Sequence, residues 1–231
     1  MKLLSTTLLV TAFLAGCGGG GSDAGVPGTA SYAVAAANHN WLTSGGQWTT
    51  TGRGSDGQNY SFTFSSQALA NGVFALTGAT TARTQQSLTF AAVGGQSITS
   101  GIVQYFNAST DALVGNFDAG EGTCTRIDTN GVLPATAAVG TGGTLYTESL
   151  LASCNPTATV VSSDTVTWSL ENDGGVILMC QNSVSPEAAG TTSNGTVGLC
   201  VEINGAGTLG SRARVSISLP GVPFSLTTRN Y

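Results

Sequence analysis

The sequence is poor in the residues on which most catalytic and nucleic-acid-binding sites depend. Only 8% of its 231 residues are charged, with one histidine, His39, and one lysine, Lys2. A serine or cysteine nucleophile with a histidine base would have to use His39, and no GxSxG motif accompanies it. We therefore expect His39 to be a solvated or hydrogen-bonded surface residue. Without a basic surface to release counterions from phosphates, we expect no nucleic-acid partner.

Long apolar segments are also lacking. The apolar run from Leu8 to Phe13 falls far short of the ~20 residues that a membrane-spanning helix requires, and no later segment approaches that length. Yet 41% of the residues are hydrophobic, so solubility must rest on serine, threonine, asparagine and glycine. This composition is typical of a β-rich domain outside the cytoplasm.

The first residues have the parts of an export signal. Lys2 supplies the positive end, the run from Leu8 to Phe13 the apolar core, and Ala15-Gly16 the small residues that a peptidase needs. Leu14-Ala15-Gly16-Cys17 resembles the lipobox of bacterial lipoproteins. The resemblance implies that residues 1–16 are removed and that Cys17 becomes an acylated N-terminus. An ordinary signal peptide with a chance cysteine is the alternative.

Acylation of Cys17 would attach the protein to membrane lipid. Each buried methylene contributes about 0.8 kcal/mol, so durable anchoring needs more than one chain. In the lipoprotein family an aspartate after the cysteine retains the product in the inner membrane, and Gly18 here implies the outer membrane instead. Residues 17–29 begin with a glycine and serine run that predicts a flexible tether.

Four further cysteines predict two disulfides. An exported chain enters an oxidising compartment, where an even number of cysteines can all form pairs. They are Cys124, Cys154, Cys180 and Cys200. Three pairings are possible, and we favour Cys124 with Cys154 and Cys180 with Cys200 because short loops close most readily. Metal ligation is the alternative, although the spacings lack the CxxC pairs of structural zinc sites.

Apolar and polar residues alternate in short segments from Trp48 to the C-terminus, which predicts an all-β fold. Examples are Tyr60, Phe62 and Phe64; Val166, Trp168 and Leu170; Val197, Leu199, Val201 and Ile203; and Ala213, Val215, Ile217 and Leu219. Five dipeptides predict hairpin turns: Asp56-Gly57, Asn71-Gly72, Asn130-Gly131, Asp173-Gly174 and Asn204-Gly205. We expect an antiparallel β-sandwich or a barrel-like fold of roughly eleven to thirteen strands, with helix only from Ala33 to Leu42.

The number of domains stays open. Residues 133–143, rich in glycine and containing a proline, could link two β-rich halves at 30–132 and 144–231, each about the size of an immunoglobulin-like sandwich. Single all-β domains also reach 200 residues, and the favoured Cys124–Cys154 disulfide would cross the segment. The mature chain as a whole resembles uncharacterised β-rich lipoproteins of Gram-negative bacteria, which implies no activity.

Two aromatic residues are candidates for binding. Trp41 and Trp48 flank the Ser44-Gly45-Gly46 segment, which we expect to be a loop, so they could contact a glycan or a peptide. Trp168 shares a face with apolar residues and is expected in the core. Arg212 and Arg214 are expected on a solvated strand face.

Two pairs of carboxylates are candidates for the acid and base of a hydrolase. They are Asp118 with Glu121 and Glu171 with Asp173. Both pairs lie in glycine-bearing segments, where aspartate commonly supports a turn. Calcium binding is an alternative, although neither segment has the ligand spacing of an EF-hand.

The sequence therefore predicts a non-catalytic lipoprotein anchored at the outer membrane through Cys17, on its periplasmic or cell-surface face. We expect a structural or interaction role, with membrane lipid and an envelope protein or glycan as partners and without cofactor or metal. A glycan- or peptide-binding module is the alternative, and a carboxylate-dependent hydrolase is a third hypothesis.

Overall fold

The computed structural model describes residues 30–185, 195–219 and 224–231. The predicted signal, Cys17 and the tether lie outside these ranges. The described elements are β1 (Ser31–Tyr32), α1 (Val34–Thr43), β2 (Gly46–Arg53), β3 (Asn59–Val73), β4 (Thr80–Ala92), β5 (Ser97–Phe106), β6 (Leu113–Asp118), β7 (Thr123–Asn130), β8 (Ala137–Ala138), β9 (Gly142–Leu151), β10 (Val160–Asp173), β11 (Val176–Ser185), β12 (Gly195–Ile203), β13 (Leu209–Leu219) and β14 (Phe224–Arg229). No helix in these ranges has the length and apolar character needed to cross a bilayer.

Twelve of the strands form one closed antiparallel barrel, which confirms the all-β prediction. Neighbours in sequence pair from β2 to β7 and from β9 to β14, β7 pairs with β9, and β14 closes the barrel on β2 through Arg229 opposite Thr51. Of the arrangements left open by the sequence, the molecule has the barrel, with strands from residues 30–132 and 144–231 in one sheet. Within residues 133–143, β8 pairs with β1.

The alternation along the strands separates the inside of the barrel from the outside. Phe62 is 1% exposed and belongs to the core. The next residue, Thr63, lies on the outer surface, where its hydroxyl is 2.9 Å from that of Thr49 on the neighbouring strand. Because successive side chains on a strand face opposite ways, this pattern gives an apolar interior and a hydroxyl-rich exterior.

The helix α1 lies inside one end of the barrel and confirms the helix predicted from Ala33 to Leu42. Val34 clusters with residues of β10, β11 and β12, Trp41 with residues of β2, β3 and β13, and Leu42 with residues of β5, β6 and β9. Since these strands lie on different sides of the barrel, the helix is surrounded by its wall.

The turn between β12 and β13 supports the start of α1. The backbone N–H of Ala33 donates to Gly205 O at 3.1 Å, and Asn40 Nδ2 donates to Gly207 O at 3.0 Å. Gly207 has a φ of 78°, and a Cβ there would lie 2.4 Å from Ala33 O. Both conditions require glycine at this position.

Three of the five predicted turn dipeptides lie in hairpin turns. Asp173-Gly174 begins a turn in which Gly174 and Gly175 both have positive φ, as a two-residue hairpin requires. Asp56-Gly57 and Asn204-Gly205 also lie in turns. The prediction is wrong for Asn71-Gly72, which lies within β3 at an irregularity of its pairing with β4. It is also wrong for Asn130-Gly131, which ends β7 ahead of a longer connection.

The favoured disulfides are confirmed. Cys124 bonds to Cys154 and Cys180 bonds to Cys200, the latter joining residues directly opposite each other on β11 and β12. Each disulfide contributes about 3 kcal/mol in the loop-entropy model.

Candidate binding cavity inside the barrel

A cavity of about 290 Å³ lies between α1 and the barrel wall. Its lining comes from α1, β6, β9 and neighbouring strands, and from the connections that follow β5 and β7. Leu42, Leu113 and Leu145 supply apolar surface. The volume is at the lower end of the ~300–1,000 Å³ typical of ligand pockets, so the cavity suits a small molecule.

The polar side chains that line this cavity include Asn38, Gln104, Tyr146 and Gln181. Asn38, Gln104 and Tyr146 are only 8%, 4% and 8% exposed. Gln104 Oε1 accepts a hydrogen bond from Gln86 Nε2 at 2.6 Å, which leaves Gln104 Nε2 without a described partner. The side chains of Asn38, Tyr146 and Gln181 make no hydrogen bond within the described ranges. None of these atoms is among the described buried atoms without a partner, so they are accessible from the cavity, and their convergence there indicates a place for hydrogen-bonding guests.

The sheet register explains why these side chains meet. Gln104 precedes Phe106 by two residues and therefore shares its inward face. Tyr146 lies opposite Val166, and Gln181 lies opposite Trp168, both of which are core residues. Asn38 precedes Leu42 by one helical turn, so both lie on the helix face that borders the cavity.

His39 and Asp111 lie at the mouth of the cavity. His39 Nδ1 is 3.0 Å from Asp111 Oδ1 and 3.1 Å from Oδ2, and the His39 side chain is 50% exposed. Asp111 lines the cavity and has a φ of 56°. The prediction of a hydrogen-bonded surface histidine is confirmed, and its partner ties α1 to the β5–β6 loop.

Beyond the cavity the inward faces of the strands carry two carboxylates. Glu148 follows Tyr146 by two residues, and it lies opposite Asp164, which precedes Val166 by two. Asn116 Nδ2 donates to Glu148 Oε2 at 3.0 Å. Burial, with a further contribution from the charge of Asp164, raises the pKa of Glu148 to about 7. Burial also raises the pKa of Tyr146, so its hydroxyl stays protonated and able to donate.

The expectation that Trp41 and Trp48 are accessible to a partner is wrong. They are 3% and 4% exposed, and their ring centroids lie 5.8 Å apart in a stack that also includes Phe64. Trp41 belongs to α1, which extends to Thr43, and Trp48 is an inward residue of β2 whose Nε1 donates to Gly210 O at 2.9 Å. Both indoles are therefore part of the barrel core.

The first predicted carboxylate pair supports a turn, as its sequence context indicated. Asp118 Oδ1 accepts hydrogen bonds from the backbone N–H groups of Gly120 at 2.8 Å and Glu121 at 3.1 Å. Glu121 itself is exposed.

The second pair belongs to an ion-pair cluster on the outer wall. Arg214 donates to Glu171, and to Asp173 Oδ2 at 3.1 Å. The same oxygen of Asp173 accepts from Arg229 at 2.9 Å and from the Tyr231 hydroxyl at 2.7 Å. Burial would raise the pKa of Asp173, but these hydrogen bonds outweigh it and hold the pKa at about 2.

The two arginines expected on a solvated strand face differ. Arg214 is only 15% exposed, because the carboxylates of its cluster and the Cys180–Cys200 disulfide cover its guanidinium. The expectation of a solvated face is therefore wrong for Arg214. Arg212 is exposed, 3.9 Å from Glu202.

Sequence reasoning missed every polar residue that lines the cavity. The sequence does contain a signal for the neighbouring carboxylates. Asp164 is separated by even numbers of residues from Val166, Trp168 and Leu170, so it is expected on the apolar face of the same strand. The glutamines at Gln104 and Gln181 are single polar positions without a motif. Comparison with family models, curated proteins and solved structures finds no match for this chain.

Proposed function

We propose that the protein is a non-catalytic lipoprotein of the outer membrane, held by acylated Cys17, whose barrel binds a small neutral polar molecule. The observation that carries the binding proposal is the cavity beside α1, into which Asn38, Gln104, Tyr146 and Gln181 bring hydrogen-bonding groups without described partners. None of these groups is among the described buried side-chain atoms that lack a partner, so they reach the solvent of the cavity and a small molecule can form hydrogen bonds with them directly.

The lining defines the class of ligand. Each carboxamide can both donate and accept hydrogen bonds, and the tyrosine hydroxyl can do the same. The described lining includes no lysine or arginine, and its acidic residue, Asp111, already faces His39. A neutral molecule with several hydroxyl or amide groups, such as a single sugar unit of an envelope glycan, fits this set better than a phosphate or a carboxylate.

The state of the predicted catalytic groups supports a non-catalytic role. Asp118 is engaged with backbone N–H groups of a turn, and Glu171 and Asp173 are engaged with Arg214. The anchor is supported by the resemblance of residues 14–17 to a lipobox.

Isothermal calorimetry of the folded barrel with glucose, galactose and N-acetylglucosamine tests the binding proposal. We expect saturable binding of at least one of these sugars and none of glucose 6-phosphate. Gln181→Leu keeps a side chain of similar size but removes the carboxamide. It should therefore abolish binding. Gln67→Leu, at an exposed position of β3, should leave it unchanged. Absence of saturable binding by all three neutral sugars would contradict the proposal.

A further inference from the structure

We infer that the barrel interior also holds a hard metal cation of the calcium class, between the carboxylates of Glu148 and Asp164 and the amide oxygen of Asn116. This site is separate from the ligand cavity, whose lining includes none of the three residues.

The first support is that two carboxylates lie together without a described basic side chain beside them. Glu148 and Asp164 lie opposite each other on the inward faces of β9 and β10. Asp164 Oδ1 is buried and has no hydrogen-bond partner. Two neighbouring carboxylates inside a barrel are costly unless a positive charge compensates them.

No described basic side chain supplies that charge. The six arginines bond elsewhere: Arg53 to Gly57 O, Arg83 to Ala70 O, Arg126 to Asp128, Arg212 to Glu202, and Arg214 and Arg229 to the outer-wall carboxylates. His39 is engaged with Asp111 at the cavity mouth. A cation that compensates these carboxylates would therefore come from outside these residues.

Asn116 gives an independent indication of a ligand. The residue is 6% exposed, and its Nδ2 donates to Glu148 Oε2 at 3.0 Å. Its Oδ1, on the same planar amide, is buried without a partner. A buried acceptor next to a carboxylate is unfavourable in an empty site and favourable beside a cation.

The donor set determines the class of cation. The three side chains offer up to five oxygen atoms and neither nitrogen nor sulfur, which suits a hard cation. Calcium accepts carboxylates in one- or two-atom contact, amide oxygens and water, with 6–8 ligands in all. Within the described residues no three acidic, histidine or cysteine side chains form a metal-binding group, so the amide oxygen and water must complete the shell.

Terbium luminescence tests the site, because Tb³⁺ takes calcium-type oxygen ligands. Tyr146 lies two residues from Glu148 on the same face, about 7 Å away, and can sensitise the emission. We expect the wild-type protein to give saturable emission that Ca²⁺ displaces. Glu148→Gln and Asp164→Asn should each weaken Tb³⁺ binding roughly tenfold or more, since fewer charged ligands lower the affinity. The matched control Glu121→Gln removes an exposed carboxylate and should have no effect.

A measurement on the wild-type protein keeps the test valid if either variant fails to fold. Ca²⁺ added after chelation should raise the Tm, because a ligand that binds only the folded state stabilises it. The inference is overturned if the wild type shows neither emission nor a Ca²⁺-dependent Tm. It is equally overturned if emission persists unchanged in both folded variants, which would identify an adventitious surface site. A Tm that responds to lowered pH but not to Ca²⁺ would identify a proton, not a cation, as the compensating charge.

Discussion

His39 on α1 and Asp111 in the β5–β6 loop form a hydrogen-bonded pair at the mouth of the cavity, with Nδ1 and Oδ1 3.0 Å apart. Asp111 is the one non-glycine residue of positive φ in the described ranges. A left-handed backbone at a non-glycine residue costs about 1–2 kcal/mol and persists only when its surroundings hold it. The pair therefore ties the loop that carries Asp111, a lining residue of the cavity, to the helix.

His39→Ala should loosen this loop without unfolding the barrel. The His39 side chain is 50% exposed and that of Asp111 is 21% exposed, so we expect a loss of less than about 1 kcal/mol in the free energy of unfolding. Amide hydrogen exchange across residues 107–112 should accelerate, while exchange in β12 and β13 stays unchanged. Gln47→Ala, at an exposed position of β2, serves as the control. Equal loop exchange in wild type and His39→Ala would show that the pair does not restrain the mouth.

Gly207→Ala should destabilise the contact between the β12–β13 turn and α1. The substitution places a side chain at a φ of 78° and a Cβ 2.4 Å from Ala33 O, so we expect a loss of about 2 kcal/mol or more in the free energy of unfolding. Gly205→Ala is a matched control in the same turn, because a Cβ there meets nothing within 4 Å and its φ is not left-handed. Urea unfolding measures both. Equal stability of the two variants would contradict the seating of α1 on this turn.

The outer-wall cluster should make stability depend on acid pH. The pKa of Asp173 is about 2 in the folded protein and 3.8 in its unperturbed state, so the folded state holds the proton less tightly. The resulting stability, about 2 kcal/mol at most, is present above pH 4 and is lost as the pH falls toward 2.

Urea unfolding between pH 2 and pH 5 checks this dependence. Asp173→Asn should flatten the profile over this interval, and Glu121→Gln, which removes an exposed carboxylate, should leave the wild-type slope. A profile for Asp173→Asn as steep as that of the wild type would assign the acid sensitivity to other groups.

Radiolabelled palmitate should be incorporated into the wild-type protein and not into Cys17→Ala. The reason is that Cys17 offers the thiol at the lipobox position, whereas the other four cysteines are held in disulfides. Fractionation should find the wild type with outer membranes and the variant released. Label retained by Cys17→Ala would refute the anchor.

Local patterns in the sequence predict the strands and disulfides but not the closure of the barrel. Val166, Trp168 and Leu170 identify a strand by themselves, and the short separation of Cys180 and Cys200 favours their pairing. Closure instead depends on contacts between β14 and the region of β2, such as Arg229 opposite Thr51 and Gly54 opposite Leu226. These parts of the chain are distant in sequence, and no local pattern encodes their meeting. The sequence therefore left sandwich and barrel open.

The sequence also does not predict that α1 lies inside the barrel. A helix with apolar residues on one face is expected to cover a core from outside, whereas Val34, Trp41 and Leu42 pack against different sides of one barrel. The sequence predicts an accessible position for Trp41 because it precedes glycines, and the enclosure of the helix reverses that expectation. The sequence could not predict the polar residues of the cavity, because they come together only when α1 packs against β5, β9 and β11.

Side-chain amide NMR during a titration with N-acetylglucosamine tests the proposed binding cavity most directly. The carboxamide NH₂ signals of Asn38, Gln104 and Gln181 should shift together and saturate, while that of exposed Gln67 should not move. Signals of the three cavity residues that stay fixed while the protein remains folded, or that shift no more than Gln67, would contradict the proposed binding cavity.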